Sequence, residues 1–162
     1  MSDITEKAIQ KSTDYYNSSD TDTYYRKIWG GESIHVGIFD KPGISIREAA
    51  RQAVTYLASR LDSIGSGKTV IDLGSGFGGP IRQLVTDYGC KGIALNASAL
   101  ELAAMAKYNE EKGLADKITP LEGNYEDIPM EDNQVDIAWS QEAFLHCGDR
   151  PKLMREVFRI LK

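Results

Sequence analysis

The fold of this chain is decided by Val70-Ile71-Asp72-Leu73-Gly74-Ser75-Gly76-Phe77-Gly78-Gly79-Pro80, in which apolar residues lead into a glycine-rich turn. The apolar start predicts a short buried strand, and the glycines predict a tight turn whose backbone can approach a ligand closely. Pro80 restrains φ to a helical value, so it favours a helix that begins directly after the turn. We therefore expect a strand, a turn and a helix, with a ligand held at Gly74, Ser75 and Gly76.

Strands and helices alternate along the rest of the chain. The predicted elements are a helix over residues 45–63, a strand over 91–96, a helix over 98–112, strands over 118–122 and 135–140, and a helix over 149–161. Ser45 and Glu48 have the spacing of a capping box, and Gly65 is predicted to end that helix. Ser98 and Glu101 have the same capping-box spacing. This alternation predicts an α/β fold with a doubly wound parallel sheet, covered by helices on both faces.

Composition argues against several classes of protein. The net charge of −5 is against a basic surface for nucleic acid or anionic lipid. No apolar run approaches the ~20 residues of a membrane span, and the first twelve residues are polar, so we expect a cytoplasmic protein without a membrane span. Cys90 and Cys147 fit no metal or redox spacing, so we expect reduced packing residues and no metal site.

The glycine-rich turn is compatible with three kinds of ligand. A nucleoside triphosphate is disfavoured because no Lys-Ser or Lys-Thr pair follows the glycines. A dinucleotide pattern would use Gly74, Gly76 and Gly79, but the Asp72 carboxylate at the strand exit would repel a pyrophosphate. S-adenosylmethionine carries an ammonium, a sulfonium and a carboxylate but no phosphate. An acid beside a glycine-rich turn suits that mixture, so we expect S-adenosylmethionine as the cofactor.

Two later loops are expected to lie beside the turn. Asn96 ends the second predicted strand, 24 residues after Asp72, where a cofactor ribose would present its hydroxyls. An acid is usual there, whereas asparagine accepts through one oxygen only. Ala97 follows in the same turn. Asn124 and Tyr125 follow the third strand and are expected to contact adenine; the alternative is an ordinary surface turn.

Four stretches resemble the class I S-adenosylmethionine-dependent methyltransferases. They are residues 70–79, the loop at 123–129, the strand Asp136-Ile137-Ala138-Trp139-Ser140 and the final run Val157-Phe158-Arg159-Ile160-Leu161-Lys162. In that family the final run is normally followed by further strands. The resemblance therefore implies a Rossmann-like sheet that is incomplete here, as if truncated after the fourth strand and its helix.

A narrower resemblance is to the sarcosine/dimethylglycine N-methyltransferases, which make glycine betaine from partly methylated glycine. It rests on Tyr24-Tyr25-Arg26-Lys27-Ile28-Trp29-Gly30-Gly31-Glu32-Ser33-Ile34-His35-Val36-Gly37, on Ala94-Leu95-Asn96-Ala97-Ser98 and on Trp139-Ser140-Gln141-Glu142-Ala143-Phe144-Leu145-His146. Asparagine after the second strand is usual in that group. Related tryptophan-glycine-histidine segments occur in sterol and tocopherol methyltransferases. A C- or O-methyltransferase of a hydrophobic acceptor, and a non-catalytic cofactor-binding fragment, therefore stay open.

The resemblance also implies a division of the chain. Residues 1–44 are expected to form a helical lid and substrate segment, and residues 45–162 the cofactor-binding domain. Ile34 and His35 are expected to cover the methionine end of the cofactor as a lid; the alternative is that Ile34 and Val36 are core residues and His35 is exposed. Gln141 is expected to approach the sulfonium methyl or the substrate.

The methyl acceptor implied by the resemblance is a small-molecule amine, whose nitrogen must be unprotonated when it attacks. In the similar phosphoethanolamine methyltransferases a histidine at the place of His146 works with an N-terminal tyrosine, here Tyr15 or Tyr16. His146 and Tyr16 are therefore the expected catalytic residues, and a histidine bonded to a nearby loop is the alternative. Tyr25 and Trp29 are expected to offer ring faces to a methylated ammonium. An oligomer is compatible with the sequence.

Overall fold

A parallel sheet forms the centre of the computed structural model, which describes residues 32–162 together with Lys7, Gln10 and Lys11. Its strands are β1 (Thr69–Leu73), β2 (Lys91–Asn96), β3 (Ile118–Glu122) and β4 (Ile137–Trp139). They lie in the order β3-β2-β1-β4, and every neighbouring pair is parallel. The chain therefore crosses over β1 to reach β4, and the carboxyl ends of β1 and β4 meet at the point where the strand order reverses.

Helices cover both faces of this sheet. They are α1 (Ile46–Ala58), α2 (Gly79–Tyr88), α3 (Ala99–Glu111) and α4 (Arg150–Ile160), with a 3-10 turn at Phe144–His146. One buried cluster joins apolar residues of α1, α2 and α3 to Val70 of β1. A second cluster joins Ile160 of α4 to Ile71 and Leu73 on the opposite face of β1. The doubly wound α/β fold predicted from the sequence is confirmed.

The predicted helix starts and two of the predicted strands are also confirmed. Ser45 Oγ accepts a hydrogen bond from the Glu48 N–H, and Ser98 Oγ accepts one from the Glu101 N–H, each at 3.2 Å. The bounds of β2 and β3 are those expected from the sequence. Each cap sets the start of its helix, since it satisfies an N–H group that the helix itself cannot.

Helix α1 is shorter than predicted. It ends at Ala58 and is capped by Ser59, whose Oγ donates to the Tyr56 carbonyl at 2.7 Å, so Gly65 is not its end. Leu61 and Ile64 continue the apolar spacing because both pack against the core from the following turns. The apolar residues at positions 61 and 64 are therefore explained by their burial and not by a continuing helix.

The fourth strand is also shorter than predicted, because the residues before it serve another purpose. The Asp136 carboxylate accepts from the Thr69 N–H at 2.9 Å and pairs with Lys68 and Lys162, at 3.3 and 2.9 Å. The Thr69 N–H and the two lysines lower the pKa of Asp136 to about 2. Val135 pairs with Leu161 instead of with β1. The segment before β4 therefore joins the start of β1 to the end of α4.

Within the described ranges, no helix has both the length and the apolar character needed to cross a bilayer. The same residues contain no group of three or more His, Cys, Asp or Glu side chains placed to hold a metal ion. Both cysteines are free thiols: Cys90 is buried in the core, and Cys147 Sγ donates to Glu126 Oε1 at 3.3 Å.

Candidate functional site

The glycine-rich turn lies at the carboxyl edge of the sheet, directly above the reversal point between β1 and β4. Gly74 has a φ of 84°, and a Cβ at this position would collide with Ala143. Its N–H and that of Ser75 both donate to the Leu95 carbonyl, at 2.9 and 3.0 Å. These two N–H groups therefore hold the turn against β2 and are not available to a ligand. What the turn offers a ligand is close approach to its backbone.

Asp72 is the most unusual polar group at this edge. Its side chain is 1% exposed, and Oδ2 has no hydrogen-bond partner among the described residues. Burial raises the pKa of Asp72 to about 7, although the nearby His35 opposes part of that shift. A buried carboxyl group without a partner is costly. A ligand that brings a cation or a hydrogen-bond donor to Asp72 would remove that cost.

Two more buried polar atoms lie on the segments that follow β1 and β4. Ser75 Oγ in the glycine-rich turn and Gln141 Oε1 after β4 are both buried, and neither has a hydrogen-bond partner in the described part of the chain. Asp72 pairs directly with Trp139 of β4, so the segments that follow both strands leave the sheet side by side. Unsatisfied buried groups are rare in native proteins, and their concentration here indicates a ligand site.

Asn96 ends β2 at the same edge. Its Nδ2 donates to Glu101 Oε2 at 2.8 Å and to the Gly76 carbonyl at 3.4 Å. Its Oδ1 accepts from the Ser98 N–H at 3.4 Å. The side chain is thus held against the glycine-rich turn, where the sequence places a ribose contact. Ala97 is exposed in the adjoining turn.

Tyr125, in the loop after β3, lies beside the glycine-rich turn. Its hydroxyl donates to the Ala143 carbonyl at 3.4 Å, and its ring meets Phe144 edge-on with 5.7 Å between the centroids. A Cβ on Gly74 would lie 3.9 Å from the Tyr125 ring. Asn124 Oδ1 accepts from the Glu126 N–H at 2.9 Å, so this oxygen serves the turn.

Residues 32–38 cross over the glycine-rich turn, and we call them the strap. At one end the Glu32 carboxylate pairs with Arg82 at 3.5 Å and Lys112 at 3.1 Å. In the middle, Ile34 Cδ1 lies 3.4 Å from the position of a Cβ on Gly76. At the other end the Ile38 N–H donates to the Ala49 carbonyl at 2.9 Å. The strap therefore closes the turn from above.

Glu142 fastens the strap to the segment after β4. Its carboxylate oxygens accept from the Val36 N–H at 3.0 and 3.3 Å, and Oε2 lies 3.9 Å from His35 Nδ1. The neighbouring His35 lowers the pKa of Glu142, and the hydrogen bond from the Val36 N–H lowers it further. Glu142 has a φ of 57°, a conformation that is uncommon for a residue with a side chain. The role of Glu142 cannot be predicted from the sequence, because its partners lie more than a hundred positions away.

His146 lies in the 3-10 turn that follows, half-buried. Burial lowers its pKa, and the positive charge of Lys11 lowers it further. The imidazole is therefore neutral near pH 7 and able to accept a proton. The other predicted residues, Tyr16, Tyr25 and Trp29, lie outside the described residues.

The sequence of this chain matches a known protein family and several curated proteins. Residues 71–162 match the family model described as "Methyltransferase domain". The chain is 40% identical over 160 residues to the glycine/sarcosine/dimethylglycine N-methyltransferase of Actinopolyspora halophila, covering 99% of this chain and 28% of that protein. It is 39% identical over 157 residues to the sarcosine/dimethylglycine N-methyltransferase of Halorhodospira halochloris, covering 97% and 56%.

A solved structure whose title names the same kind of enzyme also matches this chain. The crystal structure of a putative sarcosine dimethylglycine methyltransferase from Galdieria sulphuraria matches with a TM-score of 0.84 at 40% identity, covering 91% of this chain and 56% of that one. The chain thus spans from 28% to 56% of the length of these three proteins. The family model covers more than half of the chain and includes Asp72, the glycine-rich turn and His146. This chain therefore belongs to the methyltransferase domain family.

Proposed function

We propose that the carboxyl edge of β1 binds S-adenosylmethionine, and that the protein methylates the nitrogen of sarcosine and dimethylglycine to form glycine betaine. The cofactor proposal rests on one observation above all: Asp72 is a buried carboxyl group with an unpartnered oxygen beside the glycine-rich turn. The acceptor proposal rests on the names of the relatives that are 39–40% identical over nearly all of this chain.

The polar groups of the site fit the parts of S-adenosylmethionine. Asp72 is suited to its ammonium group, because a cation would supply the missing partner and favour the ionised carboxylate. Asn96 Oδ1 is suited to a ribose hydroxyl, and Tyr125 with Asn124 to the adenine. Gln141 Oε1 is buried after β4 without a hydrogen-bond partner among the described residues, and we propose that it contacts the sulfonium methyl or the acceptor. None of these groups is a cation suited to a pyrophosphate.

The strap would enclose the methionine end of the cofactor. Ile34 lies above Gly76, and His35 is buried between the charges of Asp72 and Glu142. An enclosed site excludes water, which strengthens the electrostatic contacts inside it and orients the reactants. The expected lid role of Ile34 and His35 is therefore retained as part of the proposal.

His146 would act as the general base. The bound cofactor supplies a methyl group on a positively charged sulfur, and transfer forms a carbon–nitrogen bond while the carbon–sulfur bond breaks. The acceptor needs its nitrogen lone pair, which is blocked when the amine is protonated. His146 is neutral near pH 7, so it can take that proton. We propose Tyr16 as its partner, and the effect of Lys11 on His146 supports an approach of the N-terminal region to this edge.

The acceptor's methylated nitrogen would be recognised by aromatic rings. We propose Tyr25 and Trp29 for this contact, which is worth ~0.5–2 kcal/mol for each ring. This part of the proposal rests on the resemblance of the run at 24–37 and on the relatives' names.

A methyl-transfer assay tests the acceptor. The protein would be incubated with S-adenosylmethionine labelled on its methyl group and, separately, with glycine, sarcosine, dimethylglycine, a sterol and a phenol. We expect labelled dimethylglycine from sarcosine and labelled glycine betaine from dimethylglycine. Label only in the sterol or phenol products would replace the proposal by a hydrophobic acceptor. Cofactor binding without any product would favour a non-catalytic cofactor-binding role for this chain.

A further inference from the structure

We infer that Glu101 is a positioning residue of the ribose site: it holds the Asn96 amide so that its oxygen faces the ligand and its nitrogen does not. The inference rests on the proposed binding of S-adenosylmethionine. It assigns a role to a buried carboxylate on α3 that the reaction itself does not use. It also explains why asparagine stands where an acid is usual.

The hydrogen bonds of Asn96 fix the direction of its amide. A primary amide has two N–H donors and one oxygen with two lone pairs. Both donors are directed into the protein, one to Glu101 Oε2 at 2.8 Å and the other to the Gly76 carbonyl at 3.4 Å. The oxygen accepts from the Ser98 N–H at 3.4 Å and keeps a second lone pair. Asn96 therefore presents an acceptor, as a carboxylate would.

Glu101 is placed for this task by the start of α3. Its own N–H donates to Ser98 Oγ, so it occupies the acidic position of the capping box. Its side chain is only 5% exposed, which is unusual for a capping glutamate. The positive end of the helix dipole favours a carboxylate at this position. The backbone of Glu101 is thus capped by Ser98, while its carboxylate is directed to Asn96.

The pair excludes an acid at position 96. An aspartate there would place its oxygen about where Asn96 Nδ2 now lies, 2.8 Å from Glu101 Oε2. Two carboxylates at that distance cannot both stay ionised without a large cost. Glu101 thus supplies a negative charge on the protein side of the Asn96 amide, and the Asn96 oxygen supplies the acceptor on the ligand side. This arrangement suits a ribose with free hydroxyls and disfavours one that carries a phosphate.

A double-mutant cycle tests the inference, with the dissociation constant (Kd) for S-adenosylhomocysteine as the readout. At pH 8 we expect Asn96→Asp to weaken binding about tenfold or more and Glu101→Gln to weaken it less. The double variant should bind within about threefold of Glu101→Gln alone, because a glutamine can donate to the new aspartate. Glu110→Gln, an exposed position on the same helix, is the matched control and should leave the Kd unchanged.

A second readout separates positioning from a merely structural role. An analogue of S-adenosylhomocysteine without the ribose hydroxyls should bind wild type more weakly, and this penalty should shrink in Asn96→Asp. The inference is overturned if the double variant binds no better than Asn96→Asp, or if the analogue's penalty is the same in all variants. Absence of binding to wild type would instead contradict the proposed cofactor and remove the basis for the pair's role.

Discussion

Asp72 is the residue at which the stability of the fold and the proposed ligand binding oppose each other. Its raised pKa means that the folded chain holds a proton on this carboxyl at pH values where the unfolded chain has lost it. The contribution of Asp72 to stability is therefore complete below about pH 4 and is lost as the pH rises to about 7. In the absence of ligand, the ionised carboxylate destabilises the fold above that pH.

Asp72→Asn should therefore stabilise the ligand-free chain at pH 8. The gain has an upper limit of ~4 kcal/mol, because each pKa unit corresponds to about 1.4 kcal/mol. Urea denaturation at pH 8 and pH 4 measures it, and the gain should vanish at the lower pH. Glu110→Gln serves as the control for a lost surface charge. A variant that is equally destabilised at both pH values would show that Asp72 is not strained by its burial.

His146 permits a prediction about rate rather than stability. His146→Gln keeps a polar side chain but removes the nitrogen that would accept the proton. We expect turnover with dimethylglycine to fall about a hundredfold, which is within the usual contribution of a general base. The Kd for S-adenosylmethionine should stay within about twofold of wild type if His146 acts only on the acceptor. Equal turnover of variant and wild type would exclude His146 as the base.

At the level of elements, enclosure of the proposed cofactor site depends on the strap. Glu142 ties it to the end of β4 through the Val36 N–H and His35. Because the neighbouring His35 and the Val36 N–H lower the pKa of Glu142, these contacts contribute stability above the ordinary pKa of a glutamate and lose it as the pH falls through the lowered value. The strap should therefore stay fastened at neutral pH and loosen in acid.

Glu142→Ala should speed release of S-adenosylhomocysteine at pH 7.5 about tenfold, because the strap loses its contact with the segment after β4. Stopped-flow displacement measures this rate. Glu131→Ala removes an exposed acid from the loop before β4 and should leave the rate unchanged. If Glu142→Ala changes the acceptor's KM but not the cofactor's release rate, Glu142 contacts the acceptor instead of fastening the strap.

Local chemistry explains which elements the sequence predicts well. Ser45 and Ser98 cap their helices because each lies beside the N–H group that it satisfies. The end of α1 could not be predicted, since Leu61 continues the helical spacing while packing from a turn. Nor could the bounds of β4, because Asp136 is held by Thr69 and Lys162, which lie 67 and 26 positions away along the chain.

The candidate site divides in the same way. Asp72 and Asn96 are predictable, because the ends of parallel strands meet at one edge of the sheet. The contact between Glu142 and Val36 joins residues 106 positions apart and leaves no periodic signal. The direction of the Asn96 amide depends on Glu101, which the sequence identifies only as a capping residue. The sequence thus predicts the groups that would face the ligand better than the groups that hold them.

In the whole molecule, the parallel sheet brings four separate segments to one edge. The glycine-rich turn, the turn after β2, the loop after β3 and the segment after β4 all leave from carboxyl ends of strands. The strap crosses the glycine-rich turn and is bonded to the segment after β4. The proposed cofactor site therefore depends on the order β3-β2-β1-β4, which places Asp72 on a strand between β2 and β4.

Calorimetric titration of the chain with S-adenosylmethionine, for wild type and Asp72→Ala at pH 7.5, decides whether this site holds the proposed ligand. We expect one binding site in wild type and a loss of affinity of at least about a hundredfold in Asp72→Ala, because the alanine cannot pair with the ligand's ammonium group. Circular dichroism would confirm that the variant stays folded. An unchanged affinity in folded Asp72→Ala, or no binding to wild type, would contradict the assignment of this edge to S-adenosylmethionine.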